Sequence, residues 1–172
     1  TAAQQQQYLE MANTALTVAG IYIVIFYILS VIGLWAIFTK AGEAGWKAII
    51  PLYRTYIVFK ICWVPSKFVF WIVPAVIMLL CTLISNFAFP TTNINNPINI
   101  ALSVISLIAY IVQLVFFFRL SMRLAVSFGK TPGYGASMAL FEEVFTCLWP
   151  VTIIQLFILA FGEARYEGPE LI

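Results

Sequence analysis

The sequence predicts an all-α membrane protein: a polytopic transmembrane helical bundle of about four spans, with an interfacial helical segment on the cytoplasmic side. Three observations lead there. Of 172 residues, 63% are hydrophobic and 9% charged, against roughly 25% charged in an average soluble domain. So few charges cannot clothe a domain in water, whereas lipid solvates an apolar exterior. The apolar residues fall into long runs, near the ~20 residues that a helix needs to cross the hydrocarbon. Lysine and arginine gather between alternate runs, as they do on the side that stays behind during insertion. The chain 1–172 reads as one integral membrane domain.

Residues 1–13 are polar, with four glutamines and Glu10 and no cation. They lack the basic region that opens a secretory signal, so the run that follows is expected to remain as a span. That first span is 17–38. It is uncharged, holds Tyr22, Tyr27 and Trp35, and at about 1.5 Å per residue reaches roughly 33 Å.

Residues 40–67 come next. Their cations recur every six or seven positions between apolar stretches, and Pro51 opposes a long helix. Two short helices, or a helix and a bent segment, are expected at headgroup level. Trp46, Tyr53, Tyr56 and Trp63 suit that level, having apolar rings with one polar end. A re-entrant dip is allowed only if protein covers the broken backbone.

The second span is 68–89, with Pro74 near its start and Cys81 inside. The link 90–97, PTTNINNP, reads as a tight connection between antiparallel helices. The third span is 98–120, with helix continuing toward Phe128. Ser103, Ser106, Tyr110 and Gln113 follow a 3-4-3 spacing and share one face. Lipid disfavours such groups, so that face should pack on another helix. The glycine-rich FGKTPGYG, from Phe128 to Gly135, ends the helix. The fourth span is 137–161, with Glu142 and Glu143 in its first turns and a kink expected at Pro150. A short polar tail follows.

Cation counts set the orientation. The segment 40–67 holds Lys40, Lys47, Arg54, Lys60 and Lys67. The link after the third span holds Arg119, Arg123 and Lys130, and the tail holds Arg165. With four spans, eight cations lie on the cytoplasmic side against one, and both termini face away from it. A bent hairpin at 137–161 would instead return the tail to the basic side. The likeness between SFGKTPGYG and AFGEARYEG gives that alternative some weight.

Little in the chain supports catalysis. There is no histidine, no aspartate and no metal-ligand cluster, so acid–base and metal chemistry lack their usual groups. Cys62, Cys81 and Cys147 form no C-x-x-C pair and read as small residues in apolar helices. Ser66 and Lys67 are adjacent, which does not orient one toward the other as a hydrolase needs. FGKTPGYG lacks P-loop spacing. No catalytic residue, cofactor or metal is expected, and a net charge of +2 gives no reason to expect nucleic acid.

Three polar sets remain. Trp46, Lys47, Tyr53, Arg54 and Lys60 are weak candidates for contact with lipid headgroups or a partner, each nearby cation adding about 1 kcal/mol. Arg119 and Arg123 could pair with Glu142 and Glu143 across the last two spans, because a lone charge in the bilayer costs roughly 2.5–3.5 kcal/mol. The third set is the packing face of Ser103, Ser106, Tyr110 and Gln113.

The stretch from Gly33 to Ile61, with its A-G-x-x-G-W-K-A-x-I-P-x-Y block at Ala41 to Tyr53, is similar to a family of small bacterial multi-pass membrane proteins. SFGKTPGYG and ILAFGEARYEG extend the likeness to Pro169. That family is described only as a domain of unknown function, and its members are sometimes labelled signal-peptidase-like. The resemblance implies a helical bundle in the bacterial inner membrane, with no catalytic residues to carry over. The first functional expectation is a non-catalytic accessory subunit of a larger inner-membrane complex, such as a transporter or translocation machine. Its partners would be membrane lipids and other membrane-protein subunits. The alternative is a small transporter or channel acting as a homo-oligomer, with a membrane hydrolase a distant third.

Overall fold

The computed structural model describes residues 2–88, 96–141 and 149–169. Among these residues the regular elements are all helical. Three helices are long and apolar enough to cross a membrane: α1 (Ala2–Lys40), α3 (Phe68–Ala88) and α4 (Pro97–Val126). The protein is an all-α polytopic membrane bundle. Three shorter helices complete it: α2 (Pro51–Cys62), α5 (Pro132–Ala139) and α6 (Trp149–Phe161).

Local chemistry sets the ends of the long helices. At the close of α1, Gly42 takes φ 78°, its N–H donates to Thr39 O at 3.1 Å, and the Glu43 N–H donates to Phe38 O at 2.8 Å. The same closure ends α4. Gly129 takes φ 67°, its N–H donates to Val126 O at 2.9 Å, and the Lys130 N–H donates to Ala125 O at 3.0 Å. Glycine enters this left-handed region without a Cβ clash, so each helix stops there with its last carbonyls satisfied. At the start of α4 the Asn96 side chain accepts from the Ile98 N–H at 3.1 Å, and Pro97 follows where its missing donor costs nothing. The rest of the link expected at 90–97 lies outside the described residues.

The segment 40–67 folds back on itself. After Gly42 the chain turns back along α1, through a 3₁₀ turn at Gly45–Ile49. Gly45 sits so close to Trp35 that a Cβ would run into the indole. The Tyr27 hydroxyl donates to Ile49 O. At about 1.5 Å per residue, Tyr27 lies roughly 20 Å down the helix axis from Lys40. There α2 begins and climbs back. Arg54 Nη1 donates to Ser30 Oγ at 3.1 Å, and Lys60 returns to Glu43. The segment is a helical hairpin laid against the long helices, the arrangement that a re-entrant dip would need. The covering that such a dip requires comes from α1, α3 and α4, which pack around it.

The expected fourth span differs in the same way. Its first residues belong to α5 and its last to α6, and the two helices lie side by side. Gln155 Nε2 donates to Ser137 Oγ at 2.8 Å, the Tyr134 hydroxyl to Gln155 O at 2.7 Å, and Thr152 Oγ1 to Met138 O at 3.3 Å. In one straight helix Ser137 and Gln155 would stand roughly 27 Å apart. α5 and α6 therefore pack side by side, as the bent-hairpin alternative would have them, with residues 142–148 between them outside the described residues. Gly135 permits it. A Cβ there would strike the α4 backbone at Ser121 and Met122.

This fold-back moves the tail. Lys40 Nζ donates to the carbonyls of Leu159, Gly162 and Ala164 at 3.0, 2.8 and 3.0 Å, so the end of α1 caps the end of α6. The Tyr166 hydroxyl donates to Ile61 O at 2.6 Å, and the Glu167 N–H donates to Ser127 O at 2.8 Å. The tail lies across the basic face, on the same side as the α4–α5 turn. Arg165 joins the other cations there.

Packing is concentrated near that face. Ile37, Phe38, Ile57, Phe59, Cys62, Phe128 and Leu159 are each 0–1% exposed and belong to one core. Toward the other face, α3 and α4 pack on each other, while residues 4–25 of α1 are exposed all round.

Candidate functional site

Between them the helices leave a cavity of about 390 Å³. Its wall draws on α1, α2, α3, α4, α5 and α6, mostly through apolar side chains such as Leu34, Val58, Phe117, Leu124 and Leu156. The polar groups are Ser30, Arg54, Thr55, Gln113, Ser121 and Thr152. Gln113 lies roughly 20 Å along α4 from its end at Val126, a depth comparable to that of Tyr27 on α1. The cavity is thus well below the basic face.

Among the described residues Arg54 is its only charged lining residue. The guanidinium carbon lies 5.3 Å from the centre of the Tyr27 ring, and Nη1 bonds Ser30. These two residues sit one turn apart on α1, as i and i+3. The geometry explains two polar groups inside an otherwise apolar span. They hold a cation where bare hydrocarbon would reject it, one through the face of a π system and one through a hydroxyl. Pro51 and Leu52, in the first turn of α2, also line the cavity. The N-cap residue Ile50 offers no side-chain acceptor to that turn.

The other residues singled out from the sequence scatter around this centre. Lys47 and Lys60 bind one carboxylate, Lys60 with its side chain still 49% exposed. They lie 2.5 and 2.6 Å from the two oxygens of Glu43. Hydrogen bonds from Lys47 and then Lys60 hold the Glu43 carboxyl below its ordinary pKa, and the Glu43 hydrogen bond raises that of Lys60. Trp46 and Tyr53 stack at 6.3 Å, and Tyr53 stacks on Tyr56 at 6.1 Å. Aromatic contacts continue through Phe68, Phe59 and Trp63 to Phe116 on α4. They tie the first hairpin to α3 and α4, so Tyr53 belongs to the packing as much as to the interface.

Arg123 lies 4.9 Å above the Trp63 ring, and Arg119 is exposed on α4. Glu142 and Glu143, their expected partners, lie outside the described residues. Ser103, Ser106 and Tyr110 face α3 across a groove that also holds Thr82, Ser85 and Asn86. Gln113 turns into the central cavity instead. Among the described residues no group of histidine, cysteine or acidic side chains could hold a metal ion.

Sequence reasoning missed Ser30, Tyr27, Glu43 and the capping role of Lys40. Glu43 and Lys47 do stand at helical i, i+4 spacing, a signal that was legible. Ser30 and Tyr27 become meaningful only once Arg54 is brought beside them. No family model, curated protein or solved structure matches the chain.

Proposed function

We propose that the protein is a small non-catalytic carrier or channel of the bacterial inner membrane, with its basic face toward the cytoplasm. The observation that carries this reading is the cavity. The first hairpin and the paired helices α5 and α6 line it beside a half-buried arginine. Broken backbone at membrane depth is tolerated where it lines a cavity or is buried in protein, and many transporters build their sites from such segments. An intramembrane cation is also costly enough to suggest a function in its own right. The cytoplasmic assignment rests on the cations, eight of which lie at the face that Arg54 enters from.

Reconstitution into liposomes tests it. Pure protein should carry a solute flux that Gln113→Leu and Arg54→Gln both lower at least tenfold. Flux no greater than in empty liposomes, across inorganic ions and small organic anions, would overturn it.

A second reading, an accessory subunit of a larger membrane complex, is favoured by a different observation. Residues 4–25 of α1 stand apart from α3 and α4, and Ala12, Ala15, Ala19 and Gly20 would let another helix approach closely. Cross-linking from Ala19→Cys in native membranes should then capture one defined partner, whereas lipid alone around α1 would give none.

A further inference from the structure

Arg54 has two partners among the described residues, the Ser30 hydroxyl and the Tyr27 ring. Neither is an anion, and no described carboxylate lies within ion-pair distance of it. A guanidinium carries five N–H donors, so most of its capacity is unused among the described residues. The other eight cations sit near the basic face, where water and headgroups can solvate them. Arg54 sits beside a cavity whose wall, among the described residues, is otherwise neutral and mainly apolar.

We infer that the cavity binds an anionic amphiphile, with the carboxylate or phosphate on Arg54 and the hydrocarbon chain along Leu34, Phe117, Leu124 and Leu156. This rests on the reading of the cavity as the working part of the molecule. Charge complementarity selects the head: a carboxylate or phosphate takes two parallel N–H bonds from a guanidinium, which a neutral headgroup does not. The uncapped first turn of α2 adds positive potential on the same side. The apolar wall selects the tail. A small, strongly hydrated anion would give up its water and leave that wall unfilled, whereas an acyl chain fills it and gains burial. Depth supports the same choice, because Gln113 in the cavity wall lies roughly 20 Å along α4 from its basic end.

Binding can be measured without transport. Trp71 lines the cavity, and bromine quenches indole fluorescence at short range. The full-length protein in a non-ionic detergent is titrated with dibromostearate, with its methyl ester and with inorganic phosphate as competitor. The expected result is saturable quenching by the acid, at least tenfold weaker for the ester and for Arg54→Gln, and partly restored in Arg54→Lys. Ser121→Phe keeps the cation and narrows the cavity, so it should also weaken the acid. Thermal unfolding of each variant separates lost binding from lost fold.

Equal binding of acid and ester, or no effect of Arg54→Gln in a folded variant, would overturn the inference. So would displacement of the acid by phosphate at millimolar concentration, which would identify a free anion as the ligand. Saturable binding without flux would support it while removing the carrier reading. Flux of a soluble ion without amphiphile binding would do the reverse.

Discussion

Arg54 and Glu43 illustrate how the same hairpin treats two charges. Glu43 stays at the basic face and gathers Lys47 and Lys60. Arg54 goes inside with a hydroxyl and a ring. The difference has a pH consequence. The folded pKa of Glu43 lies below its ordinary value of 4.5. Its pairs therefore stabilise the fold above that pH and are lost as the pH falls through the folded value. Glu43→Gln should lower the Tm by a few degrees at pH 7, and the gap from the parent should close as the pH drops below about 4. Thermal unfolding of both proteins across pH 3–7 measures this (about a two-point titration suffices for the sign). A gap that widens on acidification would contradict the pairing. Sequence spacing made the Glu43–Lys47 pair readable. It could not make Lys60 readable, because seventeen positions separate that pair and only the fold-back closes the distance.

At the scale of elements, the two hairpins are where sequence and structure part. Both contain a proline near the start of the returning helix, Pro51 in α2 and Pro150 in α6. Proline is acceptable in a first helical turn and disruptive in the interior. The sequence alone allowed Pro150 to be a kink in one long span. The hydrogen bonds from α6 to α5 show two helices instead. A cysteine pair at Ser137→Cys and Gln155→Cys should therefore join through a short bifunctional maleimide in native membranes, seen as a mobility shift after cleavage between α5 and α6. A straight span would leave the pair roughly 27 Å apart and unjoined. The groove between α3 and α4 was legible in part. Ser103, Ser106 and Tyr110 share a helical face, and α3 supplies Thr82, Ser85 and Asn86 opposite them. The divergence of Gln113 from that face follows from the length of α4: a straight row of side chains drifts around the helix, and its last member meets a different neighbour.

For the whole molecule, α1, α3 and α4 are the helices among the described residues that could cross a membrane, and three crossings would put the start of α1 and the tail on opposite sides. Lys130 and the tail share the basic face through the bonds of Lys40, Tyr166 and Glu167. Cysteines at Lys130→Cys and Gly168→Cys should react with an impermeant maleimide from one side of sealed vesicles, and Gln5→Cys from the other. Labelling of Gly168→Cys together with Gln5→Cys would restore four crossings and overturn the second hairpin. The count of cations becomes more one-sided with three crossings than with four, because Arg165 moves to the basic face. Insertion and folding then agree on the same orientation. The packing is lopsided too. The core gathers near the basic face, where both hairpins insert, and thins toward the other, where α1 stands alone.

Composition and run length by themselves determined that this chain is helical and solvated by lipid, because the cost of exposing backbone or charge to hydrocarbon leaves few other solutions. They also set where α1 and α4 stop, since Gly42 and Gly129 act through their own backbones. Only the tertiary structure decided which apolar runs cross and which turn back. A run of apolar residues is equally content against lipid and against another helix, so the choice falls to distant partners: the Trp35 and Tyr27 that receive the first hairpin, and the α4 backbone that Gly135 alone can approach.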